Sequence, residues 1–165
     1  RPREIFRGAR RSIRGPRNVE QSDMNFESLT VGTSASVPTR VTERHVELFA
    51  EATGDRNPVH LDEAVAARSQ FGGRIAHGML TAGFVSAAIA SELPGPGSIY
   101  LSQTLRFMRP VRIGDTVTVK LVVAEVIAAK RRVRITTTCT NQNGETVLDG
   151  EATVLVPDER APPGG

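Results

Sequence analysis

The chain has no tryptophan, one tyrosine, six phenylalanines and a single cysteine in 165 residues. A lone Cys139 cannot close an intramolecular disulfide and supplies no paired-cysteine spacing for a structural zinc. Nothing therefore points to a bridged, secreted scaffold, and a reducing compartment is expected. The scarcity of aromatics also removes the interleaved aromatic and basic residues of a base-stacking platform. Long apolar runs are missing too: the longest uncharged stretch, Ile75 to Ser91, has 17 residues and includes His77, Thr81, Ser86 and Ser91. That is short of the roughly 20 apolar residues a membrane span needs, so it reads as a buried helix and no membrane partner is expected.

Charge is abundant but unevenly placed. Residues 1–23 hold seven arginines against three acids, whereas the other 142 residues carry 14 basic and 15 acidic groups. The sequence pI of 9.7 therefore belongs to the leading segment and not to the body, and nucleic acid is not an expected partner. The segment is Arg-rich and acid-poor, as mitochondrial-type presequences are. However, Gly8, Gly15 and Pro16 interrupt it, and Ile5, Phe6, Ala9 and Ile13 are too few for an amphipathic face. The expectation is a disordered leader over 1–23 without catalytic role, one domain over 24–157 and a flexible tail over 158–165. A cytoplasmic location is expected, or a mitochondrial matrix if the leader is a presequence.

Within the body, Ala35 to Val41 is extended in character, and Thr42 followed by Glu43 forms a helix N-cap with an acid in the first turn. Val46, Phe49 and Ala50 give the spacing of an amphipathic helix that Gly54 closes. The stretch Asp55 to His60 reads as an ordered loop, because Pro58 keeps Asn57 out of the helical region. A short helix is expected from Asp62 to Ser69. His77 to Leu93 is dense in small and apolar residues on nearly every side, the pattern of a helix enclosed by other structure. Pro94, Gly95, Pro96 and Gly97 stop it. Four strands are then expected, over Ser98–Phe107, Thr116–Ala128, Arg132–Thr140 and Thr146–Val156, with Asn143-Gly144 as a hairpin turn. One buried helix followed by an antiparallel meander makes an α+β domain in which the sheet wraps the helix.

Gly54-Asp55-Arg56-Asn57-Pro58-Val59-His60 is the densest cluster of reactive side chains. Water addition to a double bond conjugated with a thioester needs a base to take a proton from water and an acid to deliver one to the α-carbon. A carboxylate and an imidazole holding one water can do both, with unperturbed pKa values of about 3.9 and about 6.5. Charge developing on the thioester oxygen needs a donor, and the backbone N–H of Gly78 at the start of the central helix suits it. The same residues also make ordinary turn chemistry, with Asp55 and Asn57 capping amides and His60 simply packing. Spacing alone leaves both open. His77 reads as a satisfied buried histidine and His45 as a solvated one. The three histidines show no i, i+4 pair, so no metal is expected.

The segment from Phe49 to Asp62, with Gly54-Asp55-Arg56-Asn57-Pro58-Val59-His60 at its heart, resembles the hydratase 2 motif of the MaoC-like (R)-specific enoyl-CoA hydratases. Further similar blocks follow in order: Ile75-Ala76-His77-Gly78-Met79-Leu80, Pro94-Gly95 with Gly97 to Leu101, Gln103 with Leu105, Phe107, Pro110 and Val111, and Gly114-Asp115. The similarity spans about Ser28 to Pro157 and is greatest to the short single-domain hydratases that supply polyhydroxyalkanoate monomers. Glu63 departs from it, standing where the family often has proline at a helix start.

The resemblance implies a hot-dog fold, with the helix from Gly78 as the sausage and the antiparallel strands as the bun, assembled as a homodimer. It implies syn hydration of (2E)-enoyl-CoA to (R)-3-hydroxyacyl-CoA, with acyl-CoA thioester as the partner and neither metal nor redox cofactor. Asp55 and His60 are then the catalytic pair, Asn57 orients the loop, and Gly78 holds the thioester carbonyl. Ser86 and Ile89 match positions lining the acyl pocket, and their modest size implies short to medium chains. Competing readings are a 3-hydroxyacyl-thioester dehydratase acting on acyl-carrier protein, a hot-dog thioesterase, and a non-catalytic acyl-CoA binding module. Arg106, Arg109, Arg112 and Lys130 to Arg134 are candidate docking groups for CoA phosphates or a carrier protein.

Overall fold

The computed structural model describes residues 25–158; the expectations for the leader and for residues 159–165 lie outside the described residues. A 3-10 turn, Phe26–Ser28, leads into β1 (Ser34–Arg40) and then α1 (Glu43–Thr53). Two short helices follow, α2 (Pro58–Leu61) and α3 (Glu63–Ala67), before the long α4 (Gly78–Ser91). The chain closes with β2 (Ile99–Phe107), β3 (Thr116–Ile127), β4 (Arg132–Thr140) and β5 (Thr146–Leu155).

All strand pairs are antiparallel, and the sheet runs β1-β3-β4-β5-β2. The expected meander therefore holds only for β3, β4 and β5. β2 pairs with β5 instead of its sequence neighbour β3. The β4–β5 hairpin turns where Asn143-Gly144 predicts it, with Gly144 at φ +78°, a left-handed conformation that glycine adopts without strain. Arg131, at φ +47°, links β3 to β4. Its guanidinium lies 4.7 Å from the Phe26 ring centroid and 2.9 Å from both Glu27 and Asp158, fastening the two described ends of the chain together.

The strands alternate as a half-buried sheet requires. Val117, Val119, Leu121 and Val123 of β3 and Val133, Ile135, Thr137 and Cys139 of β4 all face the core. α4 lies against this surface through Leu80, Thr81, Val85, Ala88 and Ile89. Its other side corrects the sequence reading: Gly83, Ser86, Ala87, Ala90 and Ser91 are exposed, so α4 is enclosed on one face and not all round. Apolar content hid this, because alanine and glycine are as compatible with an outward face as with an inward one. Among the described residues no helix is long and apolar enough to cross a membrane.

Candidate active site

The site is assembled where α1 ends and α4 begins. Thr42 caps α1 by accepting from the His45 amide at 3.2 Å, and His45 Nδ1 returns the favour by accepting from the Thr42 amide at 3.2 Å. His45 is thus half of a capping box and not a merely solvated residue. Gly54, at φ +79°, ends α1 and turns the chain so that Asp55 follows immediately outside the helix.

The expected loop over Asp55 to His60 is only partly a loop. Asn57 accepts from the Val59 amide at 3.3 Å and caps the single turn α2, in which Pro58 occupies the first helical positions where its missing N–H costs nothing. The Asp55 carboxylate accepts from the Asn57 amide at 3.2 Å. These bonds put Asn57 at the hinge between the carboxylate and the imidazole. His60 sits on α2, is buried, and its Nδ1 is 2.8 Å from the carbonyl oxygen of Ile75. A carbonyl only accepts, so Nδ1 carries the hydrogen and Nε2 carries the lone pair. Burial holds the imidazole below its ordinary pKa; the Ile75 bond and the Asp55 charge act in the opposite sense, while neighbouring His77 adds to the lowering.

His77 enters from the N-cap of α4. Its ring centroid is 3.9 Å from that of His60, with the planes tilted 37°, and 4.7 Å from that of Phe49. Its Nε2 is 3.0 Å from the backbone oxygen of Asp55. Asp55, His60 and His77 each bring one donor atom within 4.8 Å of the others. Each ring already commits one nitrogen to a carbonyl. The ring planes are tilted by 37°, and each imidazole keeps one further nitrogen for a ligand. The carboxylate and the imidazole are close enough for one bridging water. Two hydrogen bonds of about 2.8 Å meeting at one oxygen hold their outer atoms roughly 4.5 Å apart.

His60 faces a cavity of about 470 Å³ whose wall includes Gly78, Met79, Thr81, Phe107, Arg109 and Val111. The lining is mostly apolar, with few polar groups, as in sites for small organic molecules. Gly78 is the first residue of α4, so its N–H has no partner within the helix. Met79, Phe107 and Met108 are large apolar side chains about half exposed at this same cavity.

The structure brings Asp55, Asn57, His60 and Gly78 into one neighbourhood and leaves Ser86 and Ile89 outside it. Ile89 is buried in the core, Ser86 points outward, and neither lines the cavity. Their spacing of three places them on one side of the helix only loosely, and the boundary between the sheet-facing and outward faces of α4 runs between them. Among the basic candidates, Arg106 is held by Asp149 at 2.8 and 3.1 Å, and Arg134 by Glu125 at 2.9 Å. Arg112 donates to the Phe71 carbonyl at 2.5 Å. Arg109 alone of these reaches the cavity, with Glu145 3.7 Å away. Sequence reasoning did not single out Met79, Thr81 or Phe107 for the site, although all three stand in or beside the motif blocks that carry the resemblance. Glu63, the departure from that resemblance, is the first residue of α3 and does not line the cavity.

Residues 27–145 match the MaoC like domain. The chain is 54% identical over 132 residues to the 3-hydroxybutyryl-CoA dehydratase of Methylorubrum extorquens, covering 80% of this chain and 83% of that one. It is 48% identical over 132 residues to the (R)-specific enoyl-CoA hydratase of Rhodospirillum rubrum, covering 80% and 91%. The unliganded R-hydratase of Pseudomonas aeruginosa superimposes with a TM-score of 0.79 at 50% identity, over 86% of this chain and 96% of that one. The α+β domain described above is accordingly a hot-dog domain, and the chain belongs to the MaoC-like family.

Proposed function

We propose that the protein adds water across the double bond of a (2E)-enoyl-CoA to give the (R)-3-hydroxyacyl-CoA, and catalyses the reverse dehydration. The observation that carries this reading is the placing of Asp55 and His60 at a water-bridging separation beside an apolar cavity walled by the start of α4. A water between them donates one hydrogen toward the carboxylate and the other toward His60 Nε2. Its oxygen bonds to the β-carbon while the π electrons move toward the thioester oxygen, and the Gly78 N–H stabilises the charge that arrives there. The pair takes up one proton from the water and returns one to the α-carbon on the same face, so addition is syn and the pair ends as it began. These steps use neither metal nor redox cofactor. The similarity to a 3-hydroxybutyryl-CoA dehydratase supports short acyl chains.

A homodimer is part of the same reading. The outward face of α4 carries the small residues Gly83, Ser86, Ala87 and Ala90, and β2 is a sheet edge with Ile99 and Leu101 exposed. Both features suit a second copy of the chain. If Ser86 helps to shape an acyl site, it does so where that second copy covers it.

The test is absorbance of crotonyl-CoA mixed with the protein, with a thiol assay and an (R)-specific 3-hydroxyacyl-CoA consumer. Loss of enoyl-thioester absorbance without thiol release, with product accepted by the consumer, is the expected result. Release of CoA thiol would make the protein a thioesterase instead.

A further inference from the structure

One buried titratable group has no part in the chemistry above. His77 is 2% exposed, and its Nδ1 is buried without a hydrogen-bond partner. A phenylalanine there would fill the same space against Phe49 and His60 and would leave no orphaned nitrogen. What the histidine adds is its Nε2–H, which donates to the main-chain oxygen of Asp55 at 3.0 Å. The other bonds at Asp55 are local: its amide donates to Thr53 Oγ1 at 3.2 Å, and its carboxylate accepts from Asn57 at 3.2 Å. Asp55 itself is exposed. The His77 bond is therefore what ties the carboxylate-bearing residue to the start of α4, where Gly78 follows directly. The same ring lies on the face of His60 at 3.9 Å, so one side chain contacts both members of the pair.

We infer that His77 is a positioning residue: through its Nε2–H bond to the Asp55 carbonyl and its face contact with His60, it sets the separation of the water-holding pair and its register with the Gly78 amide. The inference rests on the hydratase reading for its kinetic consequences but not for its tautomer. His77 does not touch the reacting atoms, so its removal lowers the rate of the bound complex and leaves substrate affinity nearly intact.

The experiment compares His77→Phe and His77→Gln in the full chain, with crotonyl-CoA as substrate. The phenylalanine keeps the ring contacts and loses the donor, whereas the glutamine amide nitrogen reaches about as far as Nε2 and keeps the donor. His77→Phe is expected to fold with an unchanged or higher melting temperature and to lose kcat by at least about 30-fold with KM within about threefold, the scale on which small misplacements act. His77→Gln is expected to recover most of that loss. A kcat for His77→Phe within about threefold of wild type, or a glutamine variant no better than the phenylalanine one, overturns the assignment. Nitrogen-15 NMR of the wild-type histidines at about pH 8, above the usual imidazole range, supplies a second readout. A His77 with its hydrogen on Nε2 is expected, and a single hydrogen on Nδ1 overturns the proposal even if His77→Phe does not fold. Wild-type protein inactive on crotonyl-CoA would defeat the hydratase reading, while the tautomer would still decide whether His77 pins Asp55.

Discussion

The Phe107 ring occupies the space that a side chain at Gly78 would need: a Cβ built on Gly78 would lie 2.9 Å from the ring's Cε1 and 3.0 Å from its Cδ1. The first amide of α4 and the end of β2 are thereby brought into contact at the cavity wall, although 29 positions separate them in the chain. Because Phe107 is half exposed, its ring can swing outward when a methyl group arrives. Gly78→Ala should therefore shift the melting temperature by only a few degrees. The methyl crowds the amide proposed to hold the thioester oxygen, so kcat/KM for crotonyl-CoA should fall by about tenfold or more, toward the loss of one oxyanion donor. An unchanged kcat/KM would remove the Gly78 amide from the mechanism.

Protonation of His60 should set the acid limit of activity. Burial keeps its imidazole below the ordinary value, and the water-holding role needs it neutral. The acid limb of kcat/KM should accordingly lie below about pH 6.5. The sign for stability is the same. Between the lowered native value and about pH 6.5 the unfolded chain binds more protons at this residue than the folded one, so stability rises with pH across that window. A pH profile of hydration, with urea unfolding at matched pH values, checks both. An acid limb centred above about pH 7 would show that burial does not dominate at His60.

Much of this arrangement is legible in the sequence because it is local. Thr42 and Gly54 announce the ends of α1, Asn143-Gly144 announces its hairpin, and alternation marks the strands. The six-residue span from Asp55 to His60 holds both reactive groups. What is not legible is whatever depends on contacts between distant segments. The pairing of β2 with β5 is set by how the sheet closes, not by any turn signal. The outward face of α4 is disguised by alanines and glycines that read as buried. The ring contact of His77 with His60 joins two motif blocks that carry no signal of their relative orientation, and the Phe107 contact with Gly78 is hidden for the same reason. Ser86 and Ile89 show the converse: a shared spacing does not secure a shared environment.

Arg109 offers a way to separate recognition of CoA from recognition of the acyl chain. It lines the cavity and is only loosely engaged by Glu145 at 3.7 Å. Phosphates are present in crotonyl-CoA and absent from crotonyl-pantetheine, so Arg109→Glu should raise KM for the first by about fivefold or more and leave that for the second within about twofold. Equal effects on both substrates would place Arg109 in the packing of the site and not in phosphate recognition.

Cys139 should be silent toward thiol reagents in the folded protein. It is fully buried on the core face of β4, and burial pushes its thiol up to about 12. Titration with an aromatic disulfide at neutral pH should show no fast reaction until denaturant is added, and one thiol per chain thereafter. Rapid labelling of the native protein would show that the sheet opens at β4.

The most direct test of the account is the hydration rate of Asp55→Asn with crotonyl-CoA. Asp55 is exposed and its amide and carbonyl bonds are made by the backbone, so the nearly isosteric change should leave the melting temperature within a few degrees of wild type. An asparagine cannot accept the water proton, and kcat should fall by about two orders of magnitude or more, the scale of a general acid–base group. Turnover within a few fold of wild type would contradict the claim that Asp55 and His60 share the water that is added.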